Sequence, residues 1–344
     1  MLDQADYIAR FDKEDMMGVI SRQHLQLDQK FEIAGLEKFE AISNIVLSGM
    51  GGSALEGEFV KNWLADRLPV PFEIVRGYTL PSYVGEDTLL IASSYSGNTE
   101  ETLEALEQAE VKGAQIVIFT AGGKLAERAA EQNYPHYVMP SGLQPRVAVC
   151  YGVKALTDLF TELGLIQSVK GELSEAVEFM KESIKTWGAD TATDENPAKQ
   201  LANELLGHEI VMYGGPSTAV ASLKWKINFN ETSKNLAFYY NYPEFNHNEF
   251  MGWSHPQKTN IKVIELLSDL DHPQIAKRFE ISNRLLSGTM PAPIMIQAKG
   301  ENKLQQMLWI QTLGDFVSVY LGCLNGIDPT PVPLIEKLKI DLVK

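Results

Sequence analysis

Residues 89–99 read Leu89-Leu90-Ile91-Ala92-Ser93-Ser94-Tyr95-Ser96-Gly97-Asn98-Thr99, and an amphipathic pattern follows to residue 111. The apolar run is too short for a helix and does not alternate, as expected of a strand buried on both faces. The loop after it places Ser93, Ser94, Ser96 and Thr99 within seven positions, around Gly97. A helix opening there offers free N–H groups and a partial positive charge, and short hydroxyls add donors without bulk. Residues 89–99 thus predict an anion cradle at the end of a parallel strand. The competing reading is a plain helix cap, in which Ser96, Asn98 and Thr99 serve the helix and Glu101 completes a capping box. No lysine stands at the position that a nucleotide P-loop requires.

Outward from this loop, further apolar runs occupy residues 44–49, 72–77, 115–121 and 136–140. Helical patterns lie near 54–67, 99–111 and 123–132. Such alternation predicts a parallel sheet with helices on both faces. The run at 44–49 ends in a second glycine loop, Gly49-Met50-Gly51-Gly52-Ser53. Gly49, Gly51 and Ala54 also fit the dinucleotide pattern G-x-G-x-x-A, but the next strand ends in Arg76 where a ribose-binding acid is wanted. NAD is therefore disfavoured, and NADP is the lesser surviving reading.

The second half repeats the first. IVLSGMGGSAL (45–55) and IVMYGGPSTAV (210–220) share a strand, a glycine turn, hydroxyls and a helix start, which predicts a degenerate duplication. Helices are expected over 151–186, a linker or connecting loop over 187–199, strands at 261–266 and 294–298, a long helix over about 302–325, and an amphipathic last helix. The division expected is an N-terminal helical segment plus first domain (1–150), a helical connection (151–200), and a second domain with the C-terminal helix (201–344).

With 44% hydrophobic and 22% charged residues the chain reads as a soluble globular protein. No apolar run looks long enough to span a bilayer, and the acidic N-terminus lacks signal-peptide features. The expected compartment is the cytoplasm. A net charge of −15 argues against nucleic acid as a partner. Cys150 and Cys323 lie in apolar runs and read as buried free thiols.

The acid–base residues concentrate in Asn230-Glu231-Thr232-Ser233-Lys234 and in Pro243-Glu244-Phe245-Asn246-His247-Asn248-Glu249. A helix from Pro216 would align Leu223, Ile227 and Glu231 on one face, where desolvation would suit Glu231 to general-base work; a frayed, solvated helix end is the alternative. His247 lies in a polar loop and is suited to moving a proton on a ring oxygen, or to a structural hydrogen bond. His247, Glu249 and His255 do not have the spacing of a known metal motif. Arg146, beside an apolar run after the last strand of the first domain, is placed to stabilise an oxyanion or to form a surface salt bridge. Phe238, Tyr239, Tyr240, Tyr242, Phe245 and Trp253 look like exposed aromatics, a composition enriched at interfaces.

Seven blocks together resemble the bifunctional phosphoglucose/phosphomannose isomerases of the phosphoglucose isomerase superfamily. They are SGMGGSALEGE (48–58), VRGYTLPSYV (75–84), SSYSGNTEET (93–102), PRVAVCYG (145–152), NETSKN (230–235), YPEFNHNEFMGW (242–253) and IDPTPVPLIEKLK (327–339). The resemblance implies two tandem sugar-isomerase domains, each a mainly parallel sheet flanked by helices, with a C-terminal helix. It implies aldose–ketose isomerisation of glucose 6-phosphate, mannose 6-phosphate or both to fructose 6-phosphate, without cofactor or metal. Gly51, Gly52, Ser53, Ser94, Ser96 and Thr99 would hold the phosphorylated hexose. Arg146 would stabilise the enediol, and Glu231 would carry a proton between C2 and C1. His247 would open the ring with a lysine of the last helix, Lys339 in preference to Lys337. Thr330 is the candidate for mannose recognition. The resemblance further implies a homodimer with shared active sites, His247 entering the partner's site, and neither nucleic acid nor membrane as partner. The alternatives are an isomerase of an amino-sugar or pentose phosphate, and a non-catalytic sugar-phosphate sensor.

Overall fold

A computed structural model describes residues 1–33, 35–255 and 260–342. The chain divides into a first unit, residues 23–177, and a second unit made of residues 1–22 and 178–344. The expected boundary at 150 thus falls inside the first unit. The N-terminal helices α1 (Ala5–Phe11) and α2 (Met16–Ser21) belong to the second unit rather than the first.

The first unit holds β1 (Asn44–Ser48), α3 (Gly51–Trp63), β2 (Phe72–Val75), β3 (Thr88–Ser93), α4 (Glu100–Val111), β4 (Gln115–Thr120), α5 (Gly123–Gln132), β5 (His136–Val138) and α6 (Val149–Glu162). All neighbouring strands are parallel in the order β2-β1-β3-β4-β5. Every residue of β3 is buried, as its unbroken apolar run requires when helices cover both faces. The strand order reverses between β1 and β3, the crevice where open α/β sheets bind ligands.

Helix α7 (Lys170–Lys185) leads into the second unit. There α8 (Pro197–Leu205), β6 (Glu209–Gly214), α9 (Ala219–Asn228), β7 (Ala237–Asn241), α10 (Glu249–Gly252), β8 (Ile261–Leu267), α11 (Pro273–Leu285), β9 (Ile294–Gln297), α12 (Lys303–Leu324) and α13 (Pro333–Leu342) follow. Its four strands are parallel in the order β7-β6-β8-β9. Counting from β6, this is the order of the first four positions of the other sheet, so the duplication read from the glycine turns extends to topology. The segment 187–199 is packed rather than a free linker: Trp187, Asn196 and Lys199 are buried. The Lys199 ammonium donates to Asp3 at 3.0 Å and to the carbonyls of Ala189 and Thr191, both at 2.8 Å.

Helix α12 corrects one expectation. It is long and apolar enough to cross a bilayer, yet 94% of its most apolar window is buried inside the protein. A helix apolar all round can equally be the centre of a large core. It packs on α8, α9, α1 and α2. Its one acid, Asp315, meets Lys224 of α9 in a fully buried ion pair. Asn228 bonds to both, accepting from Lys224 at 3.0 Å and donating to Asp315. Losing one partner of a buried pair costs far more than losing both. Lys224→Met should therefore destabilise the protein by about 3–5 kcal/mol in chemical denaturation, and adding Asp315→Leu should recover most of that loss. A single variant as stable as wild type would contradict this reading of the α9–α12 contact.

Candidate functional site

The two loops expected to cradle an anion follow β1 and β3, neighbours that pair Ser48 with Ala92, so both stand at the switch point. Met50 caps α3 and Thr99 caps α4, and neither donates or accepts a side-chain capping bond. Instead the Thr99 hydroxyl bonds to that of Ser94 at 2.7 Å, and Ser96 Oγ lies 3.5 Å from Ser94 Oγ. The hydroxyls form a cluster among themselves, leaving the N–H groups of two helix starts without the side-chain caps that the competing reading required. Ser94 is buried and Ser96 exposed, so the cluster has an inner and an outer end.

Close backbone approaches fix this shape. A Cβ at Gly97, whose φ is +69°, would lie 1.8 Å from the Gly122 carbonyl oxygen. A Cβ at Gly52 would lie 2.4 Å from the Pro145 carbonyl oxygen and 3.0 Å from the Arg146 amide nitrogen. The glycine loop of α3 therefore touches the turn that carries Arg146. That arginine is buried, at 1% exposure, so it is no surface salt bridge. Its guanidinium donates to Gln144 at 3.4 Å. Arg76, whose position had left NADP open, is paired with Glu58 at 2.9 Å.

Two supporting residues escaped the sequence reading. Tyr95 sits inside the hydroxyl loop. Its amide donates to Ser53 Oγ at 3.1 Å and its carbonyl accepts from Ala121 at 3.0 Å. Its phenol donates to the Pro140 carbonyl at 2.7 Å and accepts from the Leu143 amide at 3.0 Å. One residue thus ties the β3 loop to the β1 loop, to the β4 loop and to the segment leading to Arg146. An aromatic among small polar residues was its only signal. Behind the loops Glu56 of α3 is buried and hydrogen-bonded to Ser93. A Cβ at Gly152 of α6 would lie 1.7 Å from its carboxylate. Burial pushes the Glu56 carboxyl up to about 8, against the opposing pull of the Ser93 hydroxyl.

The second unit uses its equivalent crevice differently. At the end of β6, Asp271 accepts from the Ser217 amide at 2.8 Å, and a Cβ at Gly215 would meet its carboxylate at 2.0 Å. The chain's own carboxylate occupies the place where an anion would bind. Desolvation raises the Asp271 carboxyl, partly offset by Ser217.

Glu231 lies in a π-helical turn, Phe229–Ser233, that continues α9. The turn breaks the i, i+4, i+8 alignment that had been expected with Leu223 and Ile227, which are themselves only half-buried. The buried face of α9 is Val220, Ala221, Ser222, Lys224, Trp225 and Asn228. Glu231 is half-buried and belongs to an irregularity of a kind frequent at functional sites.

His247 ends a 3₁₀ turn, Glu244–His247, and is exposed. The turn is anchored below: Asn246 donates to Ser282 at 2.8 Å and accepts from Arg278 at 3.1 Å. Glu249 accepts from the Tyr213 phenol at 2.5 Å, and Tyr213 accepts from Trp253 Nε1 at 2.7 Å. His255 Nδ1 lies 3.1 Å from Ser254 Oγ. Three of the six aromatics expected to be exposed are core instead: Tyr242, Phe245 and Trp253 are buried in one cluster with Tyr213 and Phe279. Phe238 is exposed, and Tyr239 and Tyr240 are half-buried.

Lys337 and Lys339 are both exposed on α13. Two positions on a helix lie about 200° apart, so they project to opposite sides and only one can serve a given site. Thr330 is buried, its amide donating to Asp328 Oδ1 at 3.0 Å. The structure therefore groups Gly51, Gly52, Ser53, Ser94, Ser96, Thr99 and Arg146 in the first unit, and carries Glu231, His247, Thr330 and both lysines in the second. Among the described residues no group of three or more His, Cys, Asp or Glu is placed to hold a metal. Cys150 and Cys323 are buried and form no disulfide.

Residues 38–157 match the SIS domain family, and residues 194–342 match the C-terminal SIS domain of bacterial phospho-glucose isomerase. A bifunctional phosphoglucose/phosphomannose isomerase of Caldicellulosiruptor bescii is 37% identical over 89% of this chain and 91% of its own length. One of the same name from Aquifex aeolicus is 38% identical over 87% and 90%. The chain belongs to the bifunctional phosphoglucose/phosphomannose isomerase family. Another relative of this family member, from Sulfolobus acidocaldarius, is named D-glucosamine-6-phosphate 4-epimerase and is 32% identical over 69% of this chain and 72% of its own length.

Two measurements check the loops. Ser96→Ala should weaken inorganic phosphate and sugar phosphates alike by about 1.5–3 kcal/mol, the value of one hydrogen bond to a charged group; unchanged phosphate affinity in calorimetry would place the anion elsewhere. Glu56 holds its proton more tightly folded than unfolded, so its stabilisation is complete below its ordinary value of 4.5 and is lost as pH rises towards about 8. Glu56→Gln should flatten the fall of stability across that window, and an unaltered pH profile would contradict the assignment.

Proposed function

We propose that this protein interconverts glucose 6-phosphate, mannose 6-phosphate or both with fructose 6-phosphate. The observation that carries this reading is the hydroxyl cluster between two uncapped helix starts at the switch point, in a chain of this family. The loops after β1 and β3 bind the phosphorylated hexose through Gly51, Gly52, Ser53, Ser94, Ser96 and Thr99. His247 and Lys339 open the ring by moving the proton between the ring oxygen and the C1 hydroxyl. Glu231 takes the proton from C2, giving an enediol, and returns it to C1. Buried Arg146 stabilises the charge on the enediol oxygens. Glucose and mannose 6-phosphates differ only at C2 and share one enediol, so rotation about C2–C3 lets one base serve both. No redox cofactor or metal enters the scheme.

The active form in this reading is a homodimer in which His247 acts in the partner's site. The buried aromatics no longer support that interface, but α13 does. All its described side chains are exposed, and Leu334, Ile335, Leu338 and Leu342 form a stripe along it. A helix of this kind wants a cover, and a second copy of the chain supplies one. A cytoplasmic location suits a phosphorylated metabolite. The second reading, chemistry on an amino-sugar phosphate, is favoured by the epimerase relative alone.

A coupled assay with glucose 6-, mannose 6- and glucosamine 6-phosphates separates the readings: turnover of one or both of the first two supports the proposal, and turnover of glucosamine 6-phosphate alone overturns it. Glu231→Gln and His247→Ala homodimers should each be severely impaired. Mixed under subunit exchange, they should regain activity through one intact site per heterodimer. Exchange confirmed by mass without recovery would refute the shared site.

A further inference from the structure

Lys234 is the one charged residue of the NETSKN block besides Glu231, and the reaction assigns it no task. Its ammonium lies within hydrogen-bond distance of four main-chain carbonyls, which share its three protons: Glu231 at 2.7 Å, Pro331 at 2.9 Å, Asp328 at 3.1 Å and Thr232 at 3.4 Å. Two of these belong to the π turn. The other two lie in the segment that enters α13 at Pro333. An ammonium carries three protons and needs no fixed plane, so it suits a cage of carbonyls converging from two segments. Lys234 also has φ +57°, a left-handed conformation that a side chain adopts at a cost and keeps only where its surroundings hold it. Its amide closes the turn on the Phe229 carbonyl.

The far end of the turn is held separately. Asn325, at the end of α12, donates to the Ser233 carbonyl at 2.9 Å and to Asn235 Oδ1 at 2.7 Å. Loss of the ammonium therefore leaves Ser233 anchored while removing the contact that joins the Glu231 turn to the root of α13.

We infer that Lys234 is a positioning residue that locks the Glu231 turn and the root of α13 in one register, so that the proton carrier and the last-helix lysine are set by a single contact. The catalytic half of this inference rests on the isomerase reading; the clamp itself does not.

Three variants test it. Lys234→Met keeps the length without the charge. Lys234→Gly also relieves the left-handed backbone. Lys234→Arg keeps the charge but is planar. Hydrogen exchange by mass spectrometry should accelerate about tenfold or more across 229–233 and 328–335 in the Met and Gly variants. Their kcat on the active hexose phosphate should fall about 10–100-fold, as expected of a displaced base, with KM within about twofold of wild type because ground-state binding is untouched. Arg should lie between. A wild-type kcat in the Gly variant would mean that backbone strain rather than the ammonium matters, and would overturn the inference. Unchanged exchange in both segments would overturn the clamp whatever the kinetics, and faster exchange with unchanged kcat would overturn the positioning role. If the Met variant fails to fold, Gly and Arg carry the same readouts. Wild-type protein inactive on both hexose phosphates would refute the isomerase reading instead, with the exchange data still deciding the clamp.

Discussion

Tyr95 spends its amide on Ser53, its carbonyl on Ala121 and its phenol on Pro140 and Leu143. Those bonds make the loops at the ends of β1, β3 and β4 and the approach to Arg146 one object. The glycines follow from it. Once the loops are drawn together, backbone meets backbone at Gly52 and Gly97 at distances that leave no room for a Cβ. The hydroxyls of Ser94 and Thr99 then face one another rather than their helix, and the helix starts carry no side-chain cap, which is what the proposed phosphate cradle requires. An acidic protein can hold a phosphate in this way because local dipoles, not net charge, set the field at the loop.

The duplicated unit shows what happens when the same topology is put to another use. Its switch point carries Asp271 against the Ser217 amide, so the cradle is closed by the chain itself. In the proposed function its chemistry lies at the end of α9, where a π turn displaces Glu231 from the helical line. That displacement needs support on both sides, and α12 and the 328–331 segment supply it through Asn325 and Lys234. The buried Lys224–Asp315 pair fixes α9 against α12 from within, so the turn grows from a helix whose own position is set.

Much of this was legible in the sequence because the signals were local. Unbroken apolar runs ending in glycine and hydroxyl loops announced β1, β3 and the parallel sheet. The long core helix, expected over about 302–325, runs from Lys303 to Leu324 and is apolar enough to be buried on all sides. Non-local features were not legible. β7 (Ala237–Asn241) is not among the expected strands; it is an edge strand paired with β6 alone. The aromatics Tyr242, Phe245 and Trp253 sit in a polar stretch, and only the fold shows that α11 and β6 bury them. Glu231 was placed on a stripe by assuming regular α geometry, and one extra residue in a turn suffices to break that assumption. The N-terminal helices belong to the second unit through contacts nearly 200 residues away in sequence, such as Asp3 with Lys199.

The central claim is that one carboxylate moves a proton between adjacent carbons through an enediol that both epimers share. It is tested most directly by running wild-type enzyme in heavy water with glucose 6-phosphate and, separately, mannose 6-phosphate, and locating deuterium by NMR. The account predicts that deuterium enters C1 of fructose 6-phosphate or C2 of recovered aldose, and no other carbon. Product formed over many turnovers without deuterium, or deuterium entering at C4, would contradict it.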